Sequence, residues 1–193
     1  MQATMGSTGY ETTIKNLLVA YEGELNTRAR YQAYATKADA EGFSGIASLF
    51  RAAARAEQIH ANNQARVLRQ LGAEARAEVT PFKVRSTLEN LKAALAGEKY
   101  EIEVMYPGFI AEATAHINAT ATRAFNWAIE AEKTHDRLYS ESIGLVESVQ
   151  PGAWIGTTCD FFVCPVCACT SKVREDDNCT ICNYPSERLE TIR

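Results

Sequence analysis

Two Glu-x-x-His steps, Glu57-Gln58-Ile59-His60 and Glu132-Lys133-Thr134-His135, fall where helices would carry core residues. Glu57 follows Phe50 by seven and Ala53 by four, and His60 continues that face. Glu132 follows Phe125 by seven, with His135 three residues later. At i and i+3 both side chains of each step project from one helix face. Three more glutamates share such stripes. Glu24 follows Leu17 by seven and Tyr21 by three, Glu98 follows Leu91 by seven and Leu95 by three, and Glu101 lies one turn further. Burying one unpaired carboxylate costs several kcal/mol, and five together repel one another. Two divalent ions would set four positive charges against five carboxylates, with both histidines neutral. Such oxygen and nitrogen ligands suit iron or manganese, and a pair of these ions can do two-electron chemistry on oxygen species.

The helices themselves follow from apolar spacings of three and four. The first is expected from about Glu11 to Glu41, bearing Ile14, Leu17, Leu18, Tyr21, Leu25 and Tyr31, with Gly42 ending it. Ser44 is expected to cap a second helix that closes at Gly72. The third begins at a capping box of Ser86 and Glu89, and Pro107-Gly108 should kink it without ending it. The fourth runs from about Asn118 to Val146, leaving His116 solvated near a turn. Helices of this size are ~45 Å long, and all seven candidate ligands fall ~22–28 Å from a helix end. They can therefore meet in one mid-bundle layer. The 13 residues from Ala73 to Arg85 can stretch ~43 Å. That length permits the long crossover of a ferritin-like four-helix bundle.

Composition divides the chain. All six cysteines lie between Cys159 and Cys182. Cys164-Pro165-Val166-Cys167 and Cys179-Thr180-Ile181-Cys182 form two C-x2-C pairs separated by eleven residues. Four thiolates so spaced suit tetrahedral zinc or a single iron. A segment of about 30 residues cannot bury enough apolar surface to fold alone, so a metal is expected to hold it. The expected organisation is an all-α bundle over 1–148, a linker over 149–158 marked by Pro151, Gly152 and Gly156, and a cysteine domain over 159–193. Cys159 and Cys169 fall outside the pairs, as spare thiols or as partners in ligand exchange or a disulfide. Zinc would make the domain a structural ribbon, and iron a one-electron relay. A di-iron site must be re-reduced, which favours iron.

With a net charge of −4 the chain shows no electrostatic footprint for nucleic acid. The start, MQATMGSTGYETT, lacks the apolar stretch of a signal peptide, and no run approaches the ~20 apolar residues of a membrane span. The expected location is the cytoplasm.

A bundle with Glu24, Glu57-x-x-His60, Glu98-x-x-Glu101 and Glu132-x-x-His135, followed by this cysteine pattern, resembles the rubrerythrin family. Gly23-Glu24 with Arg28 to Tyr31, Met105-Tyr106-Pro107, and Ala131-Glu132 before His135 carry the resemblance further. It implies an all-α, ferritin-like bundle followed by a small rubredoxin-like domain that the metal stabilises. It also implies two irons bridged by Glu57 and Glu132, with Glu24 and Glu101 on one and Glu98 and His135 on the other. One iron would exchange Glu101 for His60 on a change of redox state. Tyr31 and Tyr106 would hydrogen-bond the ligands, and Cys164, Cys167, Cys179 and Cys182 would hold one further iron. The implied activity is reduction of hydrogen peroxide to water, with electrons from an external NAD(P)H-linked reductase or a rubredoxin. The implied assembly is a head-to-tail homodimer with one subunit's cysteine domain beside the other's di-iron centre. Ala168-Cys169 departs from the glycine and aromatic usual after the first pair, which leaves that knuckle's hydrogen bonding open. Two other readings share these ligands: a ferroxidase that stores iron, and a non-catalytic protein with zinc in both sites.

Overall fold

The computed structural model describes residues 7–148, 154–174 and 177–193, with side chains from residue 10 onward. The first two helices, α1 (Ser7–Ala40) and α2 (Ser44–Gln70), form an antiparallel pair. Gly42 turns the chain between them at φ +83°, where the Phe43 N–H reaches back to the Ala38 carbonyl at 2.9 Å. Only a residue without Cβ takes that conformation cheaply. Ser44 was expected to cap α2, but Phe43 occupies the cap position and no side chain caps it. The Phe43 carbonyl already accepts from Ala47, so the helix begins one residue earlier than the serine signal implies.

From α2 the chain crosses the bundle without regular structure as far as Ser86. Asn26 of α1 holds this crossover, donating to the Glu78 carbonyl and accepting from both the amide and the hydroxyl of Thr80. At its far end the Glu41 carboxylate accepts from the Thr87 amide at 2.7 Å and the Thr87 hydroxyl at 2.6 Å. These bonds start α3 (Thr87–Tyr100) beside the α1–α2 turn, and the Ser86–Glu89 capping box is present. The long crossover of a ferritin-like bundle is thus in place.

The third rod is not one kinked helix. A π-helical turn spans Glu101–Met105, closed by the Tyr106 N–H on the Glu101 carbonyl, before α4 (Tyr106–Ala115) begins. A proline ring meets the carbonyl four residues back in a regular helix. The wide turn upstream of Pro107 opens that spacing, so the helix continues through the proline. Then α5 (Ala119–Ser148) completes the bundle.

Two apolar clusters fill the interior, one around Tyr31, Phe50, Leu91 and Tyr139 and one around Leu17, Leu68, Tyr106 and Phe125. The layer between them is polar. Beyond α5, residues 149–153 of the expected linker lie outside the described residues. The remainder is a three-stranded antiparallel sheet in the order β2 (Thr170–Ser171), β1 (Phe161–Val163), β3 (Glu190–Ile192). Its Phe161, Val163 and Ala168 join the first apolar cluster of the bundle. Arg55 of α2 holds Glu190 through two bonds of 2.5 and 2.7 Å, and Asn63 donates to the Val166 carbonyl at 2.8 Å. Head-to-tail pairing would set this domain against a partner subunit. Here it lies against α2 and α5 of its own chain. Among the described residues no helix is long and apolar enough to cross a membrane.

Candidate metal centres

The four rods bring Glu24, Glu57, His60, Glu98, Glu101, Glu132 and His135 into the polar layer, all of them buried. Two groups of four share that layer. Glu24, Glu57, His60 and Glu132 offer ligand atoms within 4.8 Å of one another, and so do Glu57, Glu98, Glu132 and His135. Glu57 and Glu132 belong to both groups, the arrangement that two carboxylates bridging a pair of ions require. Glu101 belongs to neither. His60 stands inside the first group, with Nδ1 2.9 Å from Glu132, 3.1 Å from Glu57 and 3.8 Å from Glu24.

The electrostatics show what such a layer lacks. Burial, then the charges of Glu132 and Glu24, push the Glu57 carboxyl well above the usual range. Burial likewise raises Glu98 and Glu101, reinforced by neighbouring carboxylates. For Glu132 burial acts upward, but the His60 charge and hydrogen bonds from His135 and His60 together outweigh it and hold the group well below its ordinary value. For His60 burial acts downward, but the Glu132 charge and hydrogen bonds to Glu132, Glu24 and Glu57 together outweigh it, so its pKa is raised. Two imidazoles thus stand among five carboxylates. Glu24 Oε2, Glu57 Oε1, Glu101 Oε2 and His60 Nε2 are buried without a hydrogen-bond partner. These three orphaned carboxylate oxygens, in a layer this dense in acidic groups, fit a pair of divalent cations.

Neighbours orient the carboxylates. Tyr31 donates to Glu98 at 2.5 Å, and Tyr106 donates to Glu24. Burial, then the Glu98 charge for Tyr31 and the Glu24 charge for Tyr106, keeps both phenols protonated and therefore donating. Gln64 is a site residue that the sequence reading missed. Its amide donates at 3.0 Å to both Glu24 and the Tyr106 oxygen. Its position, seven after Glu57 and four after His60, was the available signal. His116 lies apart, half-exposed, 3.6 Å from Glu112.

In the cysteine domain, Cys164, Cys167, Cys179 and Cys182 form a third metal-competent group. Cys164 and Cys182 stand 3.4 Å apart, as do Cys167 and Cys179. Hydrogen bonds from Cys164 and Cys167 push the Cys179 thiol far down. A cation bound by thiolates suits that set. Ala168 and Asn183 follow the two pairs at φ +70° and +62°. The first knuckle makes the same bonds as the second: Ala168 to the Cys164 carbonyl at 2.9 Å, and Asn183 to the Cys179 carbonyl at 2.8 Å. The missing glycine therefore costs backbone strain and leaves the hydrogen bonds intact. Cys169 is buried with its thiol toward Cys179, whereas Cys159 packs at the edge of the bundle core. Neither belongs to a four-residue group.

Comparison with known proteins places these features together. A family model described as Rubrerythrin matches residues 15–143. Rubrerythrin-2 of Clostridium acetobutylicum is 30% identical over 174 residues, covering 90% of this chain and 92% of the relative. Nigerythrin of Nitratidesulfovibrio vulgaris is 31% identical over 182 residues, covering 93% and 86%. A solved structure of nigerythrin, fully reduced and all ferrous, superposes with a TM-score of 0.82 at 30% identity, covering 93% of this chain and 86% of that one. A bacterioferritin from Desulfovibrio desulfuricans superposes at 0.73 with 21% identity, a likeness of fold alone.

Proposed function

The chain belongs to the rubrerythrin family, a di-iron oxidoreductase with a four-cysteine metal site, and on that premise we propose that it reduces hydrogen peroxide to water. The observation that carries the proposal is the seating of the cysteine domain directly on His135 of the bundle layer. A storage protein has no use for a one-electron relay at that place. Glu57 and Glu132 would bridge the two irons, with Glu24 on one side and Glu98 and His135 on the other. Glu101 and His60 would alternate as the remaining ligand. Two irons so held would supply the two electrons that peroxide reduction needs, and iron on the four thiolates would return electrons singly.

The chain's own residues do the rest. Tyr31 and Tyr106 hold Glu98 and Glu24 in orientation through their hydroxyls, and Gln64 fixes the second of these pairs. The two apolar clusters keep bulk water from both ends of the layer. Glu101 is a buried carboxyl outside both four-residue groups, and it can hold and release a proton within the layer. One peroxide takes two electrons and two protons and yields two waters. The electrons come from an external reductase drawing on NAD(P)H, or from a rubredoxin, in the cytoplasm. The assembly would be a homodimer; because the cysteine domain also lies against the bundle of its own chain, internal electron delivery is expected to be independent of protein concentration.

The test is anaerobic addition of hydrogen peroxide to the iron-loaded, reduced protein. We expect stoichiometric consumption with return of the oxidised iron–thiolate absorption, and slower turnover in Glu101→Ala. Intact peroxide, together with iron mineralisation in a large hollow assembly, would establish storage instead. Unchanged turnover in Glu101→Ala would remove the ligand exchange.

A further inference from the structure

The face of His135 turned away from the carboxylates is not held by the bundle. Its Nε2 meets the Thr170 hydroxyl oxygen at 3.1 Å, and Thr170 is the first residue of β2 in the cysteine domain. Both residues are buried. The protons at this contact can be counted. The Thr170 hydroxyl donates to the Ala168 carbonyl at 3.0 Å, and a carbonyl can only accept. The hydroxyl oxygen is left to accept, so Nε2 of His135 must carry the proton. In neutral His135 the lone pair then lies on Nδ1. That nitrogen is 2.7 Å from Glu132, 3.8 Å from Glu98 and 3.9 Å from Glu57, inside the second group of four. A second tie holds the same residue in place. The Thr170 amide donates to the Thr134 hydroxyl at 3.2 Å, and that hydroxyl in turn donates to the Ala131 carbonyl at 2.7 Å.

We infer that Thr170 is a positioning residue for the bundle's metal site: by accepting from Nε2–H it selects the His135 tautomer that ligates through Nδ1. Metal affinity in the bundle thereby depends on a side chain of the cysteine domain, and an undocked domain leaves His135 free to present the wrong nitrogen. The route between the centres is short. Ala168, whose carbonyl receives the Thr170 proton, is bonded directly to Cys167. The inference rests on reading the carboxylate layer as a metal site, and its test separates the two.

Thr170→Val keeps the side chain's shape and removes the hydroxyl, Thr170→Ala removes it with less bulk, and Thr170→Ser restores it. Ferrous affinity of the bundle site is measured by chelator competition. Helix content and the iron–thiolate absorption report separately that both domains are folded. We expect about 10- to 100-fold weaker binding in the valine and alanine variants, the usual cost of removing a ligand's outer partner, and near-parental binding in serine. Parental affinity in a folded valine or alanine variant overturns the inference. So does a serine variant as weak as alanine, because packing and not the hydroxyl would then be the cause. If the parent protein binds no metal in its bundle, the site reading and this inference fall together.

Discussion

Removing the metals should leave a protein that loses stability as pH rises through neutrality. Burial first, and neighbouring charge second, hold Glu57, Glu98 and Glu101 above the ordinary carboxylate range. The folded, metal-free chain therefore keeps protons that the unfolded chain has released by about pH 5.5. His60 acts in the same direction, because the Glu132 charge together with hydrogen bonds to Glu132, Glu24 and Glu57 overcomes burial and raises its pKa. Its contribution is fully present below about pH 6.5 and fades as pH climbs through the folded value. Glu132, held low, contributes stability that disappears only in acid, so it is ionised in both states across this interval. Each extra proton on the folded state lowers stability by about 1.4 kcal/mol per pH unit. One net proton retained from about pH 5.5 to about pH 7.5 thus removes about 2.7 kcal/mol. At roughly 2–4 °C per kcal/mol for a chain of this size, the melting midpoint should fall by about 5–11 °C. The assay is helix circular dichroism during thermal melts of metal-free protein at a series of pH values. Metal binding displaces these protons, so loaded protein should gain on stripped protein as pH rises. A stripped protein whose midpoint stays flat or rises over that interval would refute the electrostatic account of the layer.

Gly45→Ala should detach the cysteine domain, because a Cβ there would overlap the Trp154 carbonyl oxygen and lie 2.8 Å from that of Thr157, both backbone atoms. The expected result is slowed electron delivery to the bundle with an unchanged iron–thiolate spectrum; unchanged delivery would show that this backbone seat is dispensable. Ile117→Gly should stabilise the protein by about 0.5–1 kcal/mol, the relief of a left-handed residue less the added freedom of glycine in the unfolded chain. Ile117 has φ +55° and is 91% exposed, so no burial is lost, and a lower urea midpoint would contradict the argument. Glu41→Gln should cost about 1–2 kcal/mol through the weakened bonds to Thr87. Hydrogen bonds from Thr87 and Lys37 hold Glu41 down to about 2, so in the parent this contribution is present above about pH 4.5 and is lost toward pH 2, and the glutamine variant should lack that acid dependence.

The metal layer was legible in the sequence because a carboxylate on an apolar stripe conflicts with its surroundings, and periodicity exposes the conflict residue by residue. Glu24, Glu57, His60, Glu98, Glu132 and His135 are found this way, and the same test applied to α2 would have added Gln64. The π turn at Glu101–Met105 escaped because a period of 3.6 assumes the regular hydrogen-bond ladder that Pro107 disturbs. Sequence marks the proline but not how the backbone absorbs it, and here it widens one turn upstream of the ring. That turn lies between Glu101, which stands outside both four-residue groups, and Tyr106, which donates to Glu24. Docking of the cysteine domain was least visible of all. Asn63, Thr134 and Thr170 are ordinary polar residues in any single-chain reading, and Gly45 looks like a weak point in a helix until the backbone laid against it is seen. What makes them consequential is pairing across 103 residues in one case and 36 in the other. A local pattern carries no information about such partners. The separation is also physical: a ligand layer must be written into each helix that contributes to it, whereas an interface needs only two surfaces that fit. The seat of the cysteine domain therefore constrains the bundle sequence at a few positions, and those positions decide whether the two centres are within reach of each other.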